Sequence, residues 1–205
     1  WKDRVARHKE YTAKIPFSDF KVFDFICQYL PKNSQLQVSN SSAIRYLQLF
    51  DLDKSIQVFC NRGTSGIDGS TSTAIGAALA TNLPTILITG DISFLYDSNA
   101  LWNNYIPKNF KIILLNNSGG GIFRILPGHQ ETETFNRYFE TSHQLNASHL
   151  AKMYGFDYFE ANDEATLQQQ YKSFLNQNEK PSILEIFTPE KENNGILLEF
   201  FRGLK

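Results

Sequence analysis

Two stretches of the chain decide its fold: PTILITGDISFLYDSNA, residues 84–100, and KIILLNNSGGGIF, residues 111–123. Each begins with a short apolar run rich in β-branched residues, over 85–89 and 111–115, of the length expected for a strand buried on both faces. Residues 93–105 carry apolar side chains at helical spacing. The sequence therefore predicts a strand, a helix and a second strand, joined by a right-handed crossover into a parallel pair.

Oxygen-bearing residues follow both predicted strands. Asp91 comes after the first strand and Asn117 after the second. The carboxyl ends of parallel strands share one edge of the sheet, where open α/β sheets bind ligands, so these side chains are expected to lie side by side. A carboxylate, an amide and the carbonyls of a glycine-rich turn suit Mg²⁺, and the N–H groups of glycines 119–121 are free to approach an anion. The sequence predicts a magnesium diphosphate site.

The rest of the chain repeats the alternation of strand and helix. Further strands are predicted near residues 36–38, 56–60, 156–159 and 181–187, and helices near residues 18–30, 41–50, 70–80, 148–154 and 164–174. Ser18 and Ser41 stand where an N-cap is common. The fold class is therefore α/β, a doubly wound and mostly parallel sheet of about six strands.

Domain organisation follows from the flanking segments. Residues 1–15 are polar and mostly basic and are interpreted as a solvated helix face left over from an upstream linker, and residues 16–205 as one domain. The chain begins without Met, which suggests a piece of a longer protein. Residues 128–143 form a long polar connection, interpreted as an active-site cover. The apolar tail 196–201 is expected to pack on this domain or a neighbour.

Composition narrows the function classes. The net charge is −1, with 41% hydrophobic and 20% charged residues, and no apolar run approaches the ~20 residues of a membrane helix. Lys and Arg residues are scattered along the sequence and form no basic cluster of the kind that binds nucleic acid. Cys27 and Cys60 lie in different predicted elements and are not spaced as in a CxxC motif. Their positions argue against a disulfide framework or a zinc site and agree with a cytoplasmic location.

Gly90-Asp91 followed by Asn116-Asn117 resembles the cofactor motif of thiamin diphosphate-dependent enzymes. On that resemblance the metal ligands are Asp91, Asn117 and the carbonyl of Gly119, with Mg²⁺ as the ion and Mn²⁺ as an alternative. The family usually has Gly where this chain has Ile92.

Further motifs, in residues 40–45, 61–69, 95–101 and 122–127, resemble the MenD family of menaquinone biosynthesis. The resemblance implies a thiamin diphosphate-binding fold. It implies an enzyme that decarboxylates 2-oxoglutarate and adds the succinyl semialdehyde unit to isochorismate. The implied cofactor-binding residues are Ser65, Ile67, Gly90, Asp91, Ile92, Ser93, Asn117, Gly119, Gly120 and Ile122. The implied catalytic or substrate-contacting residues are Ile67, Ser41, Arg45, Arg62, Phe123 and Leu126.

The resemblance also implies individual roles. Ile67 wedges beneath the cofactor and brings its two rings together. Ser41 and Arg45 receive the succinyl carboxylate, and Arg62 serves either substrate, since Arg forks and hydroxyls suit carboxylates. Phe123 and Leu126 line the reaction pocket.

One group that this chemistry needs is not in these residues. In the resembled family, a Glu that protonates the aminopyrimidine comes from the pyrimidine-binding domain of a second subunit, within a homodimer or homotetramer. The chain alone is therefore expected to be inactive. Alternatives are another thiamin diphosphate decarboxylase or carboligase, such as an acetohydroxyacid synthase-like protein, a nucleotide-binding module, and a scaffold without catalysis. Against the nucleotide module, the chain shows no GxGxxG or Walker motif.

Overall fold

The computed structural model describes residues 2–126 and 128–203, with side chains from Arg7 onward. Its strands are β1 (Gln35–Val38), β2 (Gln57–Cys60), β3 (Thr85–Gly90), β4 (Lys111–Asn116), β5 (Asp157–Ala161) and β6 (Ser182–Phe187). Its α-helices are α1 (Lys2–Lys14), α2 (Asp19–Tyr29), α3 (Ser42–Leu47), α4 (Ser70–Leu79), α5 (Asp91–Tyr96), α6 (Ser148–Tyr154), α7 (Glu164–Asn176) and α8 (Asn193–Gly203). None of these helices is both long and apolar enough to cross a membrane.

The six strands form one sheet in the order β2-β1-β3-β4-β6-β5, and every neighbouring pair is parallel. From β1 the chain continues to β2 on one side of the β1–β3 pair, and from β3 it continues to β4 on the other side. Connections that diverge between adjacent strands open a crevice at the carboxyl ends, where such sheets bind ligands. The predicted doubly wound parallel sheet is confirmed.

Helices cover both faces of the sheet because the buried strands are apolar on both faces. In β3, Ile86 and Ile88 join a core cluster with α2, α3, α7 and α8. Leu87, between them, points to the other face and packs in a second cluster with α4, α5 and α6. The alternation of side chains along a strand thus divides the core into two layers.

Several local predictions require correction. The helix expected over 93–105 begins at Asp91, ends at Tyr96 and is followed by a 3-10 helix, Ser98–Trp102. Asp97 lies at the break, where its carboxylate accepts the N–H of Ser72 at 2.7 Å. The N-cap prediction holds for Ser18, which accepts the N–H of Lys21. It is wrong for Ser41, whose side chain makes no capping bond and whose φ is 71°.

The first and last helices pack on each other and on α2. The His8 ring lies 5.2 Å from the Phe20 ring, and the Tyr11 hydroxyl donates to the Ile196 carbonyl at 2.6 Å. Leu197 and Phe200 of α8 are buried. The apolar tail therefore packs on this domain, as one alternative predicted. Among the described side chains of α1, Arg7, Lys9 and Glu10 are exposed, which agrees with the solvated helix face expected for this segment, while the opposite face, with Thr12 buried, packs on the core.

Candidate active site

A cavity of about 240 Å³ lies at the carboxyl ends of β1, β3 and β4. The predicted residues that line it are Ser41, Ile67, Gly90, Asp91, Ile92, Ser93, Asn117, Gly119, Gly120, Ile122 and Phe123. The described side chains of four others, Arg45, Arg62, Ser65 and Leu126, do not line it. A larger groove of about 560 Å³ runs between α2 and α7, away from these strand ends, and holds none of the predicted residues.

Asp91 joins the ends of the two central strands. Its Oδ1 accepts the N–H of Ile92 at 2.7 Å, and its Oδ2 accepts the N–H of Gly119 at 3.0 Å. The buried Nε2 of His143 lies 3.3 Å from Oδ2 without an aligned hydrogen-bond partner among the described residues. The Asp91 carboxylate opposite the ring raises the pKa of His143. Two backbone amides thus orient this carboxylate toward the cavity rim.

Asn117 is held by a residue that the sequence analysis missed. Its Nδ2 donates to Oδ2 of Asp19 at 2.9 Å, across 98 residues. Asp19 Oδ1 accepts the hydroxyl of Thr188 at 2.6 Å. Burial raises the pKa of Asp19 to about 6, against the opposing effect of the hydrogen bonds from Thr188 and Asn117. In the sequence, Asp19 is distinguished only as the first residue of a helix.

The glycine-rich turn is tighter than predicted. Gly119 has a φ of 155°, and a Cβ there would lie 2.8 Å from the Glu140 carbonyl oxygen. Gly120 donates its N–H to that oxygen at 2.6 Å, and Gly121 donates to the Gly119 carbonyl at 3.0 Å. With the Gly119 N–H bound to Asp91, all three amides are engaged within the protein. The expectation that these amides face an anion is therefore wrong for this structure.

The segment 128–143 is folded over the cavity. It contains a six-residue π-helix, Phe135–Glu140, and Tyr138, Phe139 and Thr141 line the cavity. Arg124 pairs with Glu131 and with Glu140, and the Arg124 and Glu140 side chains are 3% and 1% exposed. This segment covers the site as expected, but buried charges and the glycine turn anchor it, so it is not an irregular loop.

The loop that carries Ile67 is bound to two strand ends. Asn40, after β1, donates from Nδ2 to the carbonyls of Asn61 at 2.7 Å and Gly66 at 2.6 Å. Ser93, in α5, donates its hydroxyl to the Ile67 carbonyl. These bonds hold the half-buried Ile67 on the cavity wall.

The two arginines lie outside the cavity and are exposed. Arg45 Nη1 donates to the Ser41 carbonyl at 2.7 Å, and Arg62 Nη1 donates to Oδ1 of Asn40 at 2.9 Å. Each guanidinium has five N–H donors, so both keep donors for a further partner. The structure thus gathers the predicted metal ligands and the predicted cofactor residues other than Ser65, but it leaves the arginines at the periphery.

The donor set fits a hard divalent cation. Asp91 and Asn117 line the cavity together with Gly119, so a carboxylate, a side-chain amide and a backbone turn meet there. Within 2–126 and 128–203, no group of three or more His, Cys, Asp or Glu side chains is arranged to hold a metal. A cation here would depend on amide and carbonyl oxygens, which suits Mg²⁺ better than Zn²⁺.

Comparison with known proteins agrees with this geometry. Residues 40–186 match the family described as thiamine pyrophosphate enzyme, C-terminal TPP binding domain. Proteins named 2-succinyl-5-enolpyruvyl-6-hydroxy-3-cyclohexene-1-carboxylate synthase are similar to this chain. Those from Flavobacterium johnsoniae, Flavobacterium psychrophilum and Bacteroides fragilis are 66%, 68% and 42% identical over 201, 203 and 194 residues. The alignments cover 98%, 99% and 94% of this chain, but 36%, 37% and 35% of the relatives. The chain therefore spans about a third of their length.

Proposed function

The chain belongs to the family of thiamine pyrophosphate enzyme C-terminal domains, and we propose that it holds the metal and diphosphate end of thiamin diphosphate within a MenD synthase. The contact between Asp91 and Gly119 carries this proposal, because it brings the ends of β3 and β4 together at the cavity. Asp91, Asn117 and the Gly119 carbonyl would hold Mg²⁺, or Mn²⁺ in its place.

Thiamin diphosphate supplies an electron sink for the loss of carbon dioxide from a 2-oxo acid. The residues of this chain bind it and orient it. Ile67 supports it from the cavity wall, and the rings of Phe123 and Phe139, 5.7 Å apart, exclude water from the rim. Exclusion of water strengthens every electrostatic contact inside the site.

We further propose that the donor is 2-oxoglutarate, that the acceptor is isochorismate, and that the product enters menaquinone biosynthesis. The name of these relatives, which describes a succinyl-bearing product, supports this assignment. Arg45 and Ser41 would receive the succinyl carboxylate, and Arg62 would serve either substrate. The hydrogen bonds that Arg45 and Arg62 make within the chain leave other guanidinium N–H groups free to bind a carboxylate through two hydrogen bonds.

The proposal includes a larger assembly in the cytoplasm. Residues 1–15 would lead from an upstream region, and residues 16–205 would be the diphosphate-binding domain. A pyrimidine-binding domain of a second subunit, in a homodimer or homotetramer, would supply the Glu that acts on the aminopyrimidine. Purified residues 1–205 would then show no appreciable synthase activity, and turnover by this chain alone would contradict that statement.

The test is an assay of the full-length chain with Mg²⁺ and thiamin diphosphate. Consumption of 2-oxoglutarate is followed with and without isochorismate, and products are identified by mass spectrometry. Isochorismate-dependent consumption with the succinyl adduct as product supports the proposal. Conversion of pyruvate with 2-oxoglutarate untouched would favour an acetohydroxyacid synthase-like enzyme.

A further inference from the structure

A buried carboxylate lies behind Asn117. Asp19 is 2% exposed, and both of its oxygens are engaged, Oδ2 by the Asn117 amide and Oδ1 by the Thr188 hydroxyl. The Asp19 N–H donates to Oδ1 of Asn193 at 2.8 Å. Asn193 in turn donates from Nδ2 to the Pro189 carbonyl at 2.7 Å. The segment after β6 and the start of α8 therefore hold Asp19 in one orientation.

This carboxylate decides which way the Asn117 amide faces. An Asn side chain can turn over with little change of shape and present either its nitrogen or its oxygen to the cavity, and only the oxygen is able to bind a cation. An ionised carboxylate accepts hydrogen bonds and donates none. Facing Asp19, the amide must present Nδ2, and the geometry of the amide then turns Oδ1 away from Asp19.

We propose that Asp19 is a positioning residue, which fixes the oxygen of Asn117 as the atom offered to the cation of the cofactor. This inference rests on the proposed function, since it concerns the metal of that site. It assigns to the start of α2 a part in cofactor binding that the β3 and β4 motifs do not contain. Groups behind metal ligands typically change metal affinity by about 10–100-fold when they are removed.

Only a carboxylate at position 19 makes the choice unambiguous. An amide there would have one accepting and one donating end, and the Thr188 hydroxyl can face either end because it both donates and accepts. With the donating end toward Asn117, the Asn117 amide would turn over and present nitrogen to the cavity. Asp19→Asn therefore creates two competing arrangements, one of which lacks the metal ligand.

The experiment is a titration of Mn²⁺ in the presence of thiamin diphosphate on the full-length chain, with free Mn²⁺ measured by electron paramagnetic resonance. Asp19→Asn is expected to weaken Mn²⁺ binding about 10-fold. In the double variant Asp19→Asn with Asn117→Asp, the new amide donates to the new carboxylate, whose second oxygen faces the cavity, so most of the affinity returns. Asp24→Asn, a half-buried acid of the same helix, is the matched control and leaves the affinity unchanged.

Thermal unfolding of each metal-free variant checks that it is folded. Should Asp19→Asn fail to fold, Thr188→Val and Thr188→Ser replace it. The first removes the hydroxyl that holds Asp19 and weakens Mn²⁺ binding, and the second keeps the hydroxyl and the affinity. Unchanged affinity in Asp19→Asn, or in Thr188→Val where that variant is used, overturns the inference, as does a double variant no better than Asp19→Asn. A wild-type chain that binds neither Mn²⁺ nor cofactor overturns the proposed function itself, which separates the two failures.

Discussion

The backbone N–H of Gly119 donates to the side chain of Asp91 at 3.0 Å, although 28 residues separate them. The two residues stand at the ends of the neighbouring strands β3 and β4. Their contact aligns a carboxylate with the turn that carries Asn117, so the predicted metal ligands share one rigid edge. The proposed binding of the cofactor's metal and diphosphate would depend on this alignment.

Removal of the Asp91 carboxylate tests that role directly. In the full-length enzyme, Asp91→Ala takes away the charged ligand and the acceptor for Gly119 together. We expect Mg²⁺-dependent binding of thiamin diphosphate, measured by calorimetry, to be lost. Asp51→Ala, at an exposed acid, is the control with unchanged binding. Wild-type affinity in Asp91→Ala would remove the central assignment of the site.

Gly119, in the glycine turn, leaves no room for a side chain. In Gly119→Ala the new Cβ would lie 2.8 Å from the Glu140 carbonyl oxygen, at a positive φ that L-residues avoid. We expect a loss of about 1–3 kcal/mol in the free energy of unfolding, measured by denaturant titration. Gly76→Ala, in the exposed middle of α4 with open space around it, should instead stabilise by about 0.5–1 kcal/mol. Equal effects of the two substitutions would contradict the close packing of the turn.

The cover over the cavity depends on a buried ion pair. Arg124→Met leaves Glu140 buried without its partner, which typically costs about 3–5 kcal/mol. We expect that loss in denaturant unfolding, with faster amide hydrogen exchange in residues 135–143. The double variant Arg124→Met with Glu140→Leu replaces the pair by apolar groups and should recover most of the stability. Arg137→Met, at an exposed Arg of the same segment, should change stability little.

Lys111 predicts a pH dependence far from the cavity. Its Nζ donates to the Phe174 carbonyl at 2.7 Å and to the Gln177 carbonyl, at the end of α7. Burial lowers the pKa of Lys111 to about 8, against the attraction of Asp157, from an ordinary value of 10.5. Between these values Lys111 binds its proton more in the unfolded chain than in the folded chain, so the contribution of Lys111 to the free energy of unfolding should rise as the pH rises from about 8 to 10.5.

Denaturant unfolding at several pH values in that window measures the effect of Lys111. In Lys111→Met the change in the free energy of unfolding over this pH window should be less positive than in the wild type. The reason is that the amine, whose pKa differs between the folded and unfolded states, is gone. Lys172→Met, at an exposed Lys of α7, should keep the wild-type slope. Identical slopes in the wild type and Lys111→Met would show that the burial of this amine does not affect its protonation.

The fold class and the central pair of strands can be predicted from the sequence alone. Apolar runs rich in β-branched residues over 85–89 and 111–115 have the length and flanking turns of strands buried on both faces, and a parallel sheet brings their carboxyl ends together. Asp91 and Asn117 are expected to lie side by side from that topology, because they follow those strands. The metal-ligand set that adds the Gly119 carbonyl came from the resemblance to thiamin diphosphate-dependent enzymes, and it stays a prediction.

The surroundings of these residues depend on tertiary packing and could not be predicted from the sequence. Asp19 and Glu140 reach the site through folding of α2 and of the π-helix, and no local pattern marks either one. The amide of Gly119 is engaged by Asp91 and the amide of Gly120 by the Glu140 carbonyl, where the sequence predicted free donors. Contacts between residues far apart in the chain depend on how whole elements pack, and a sequence pattern carries no direct record of that packing.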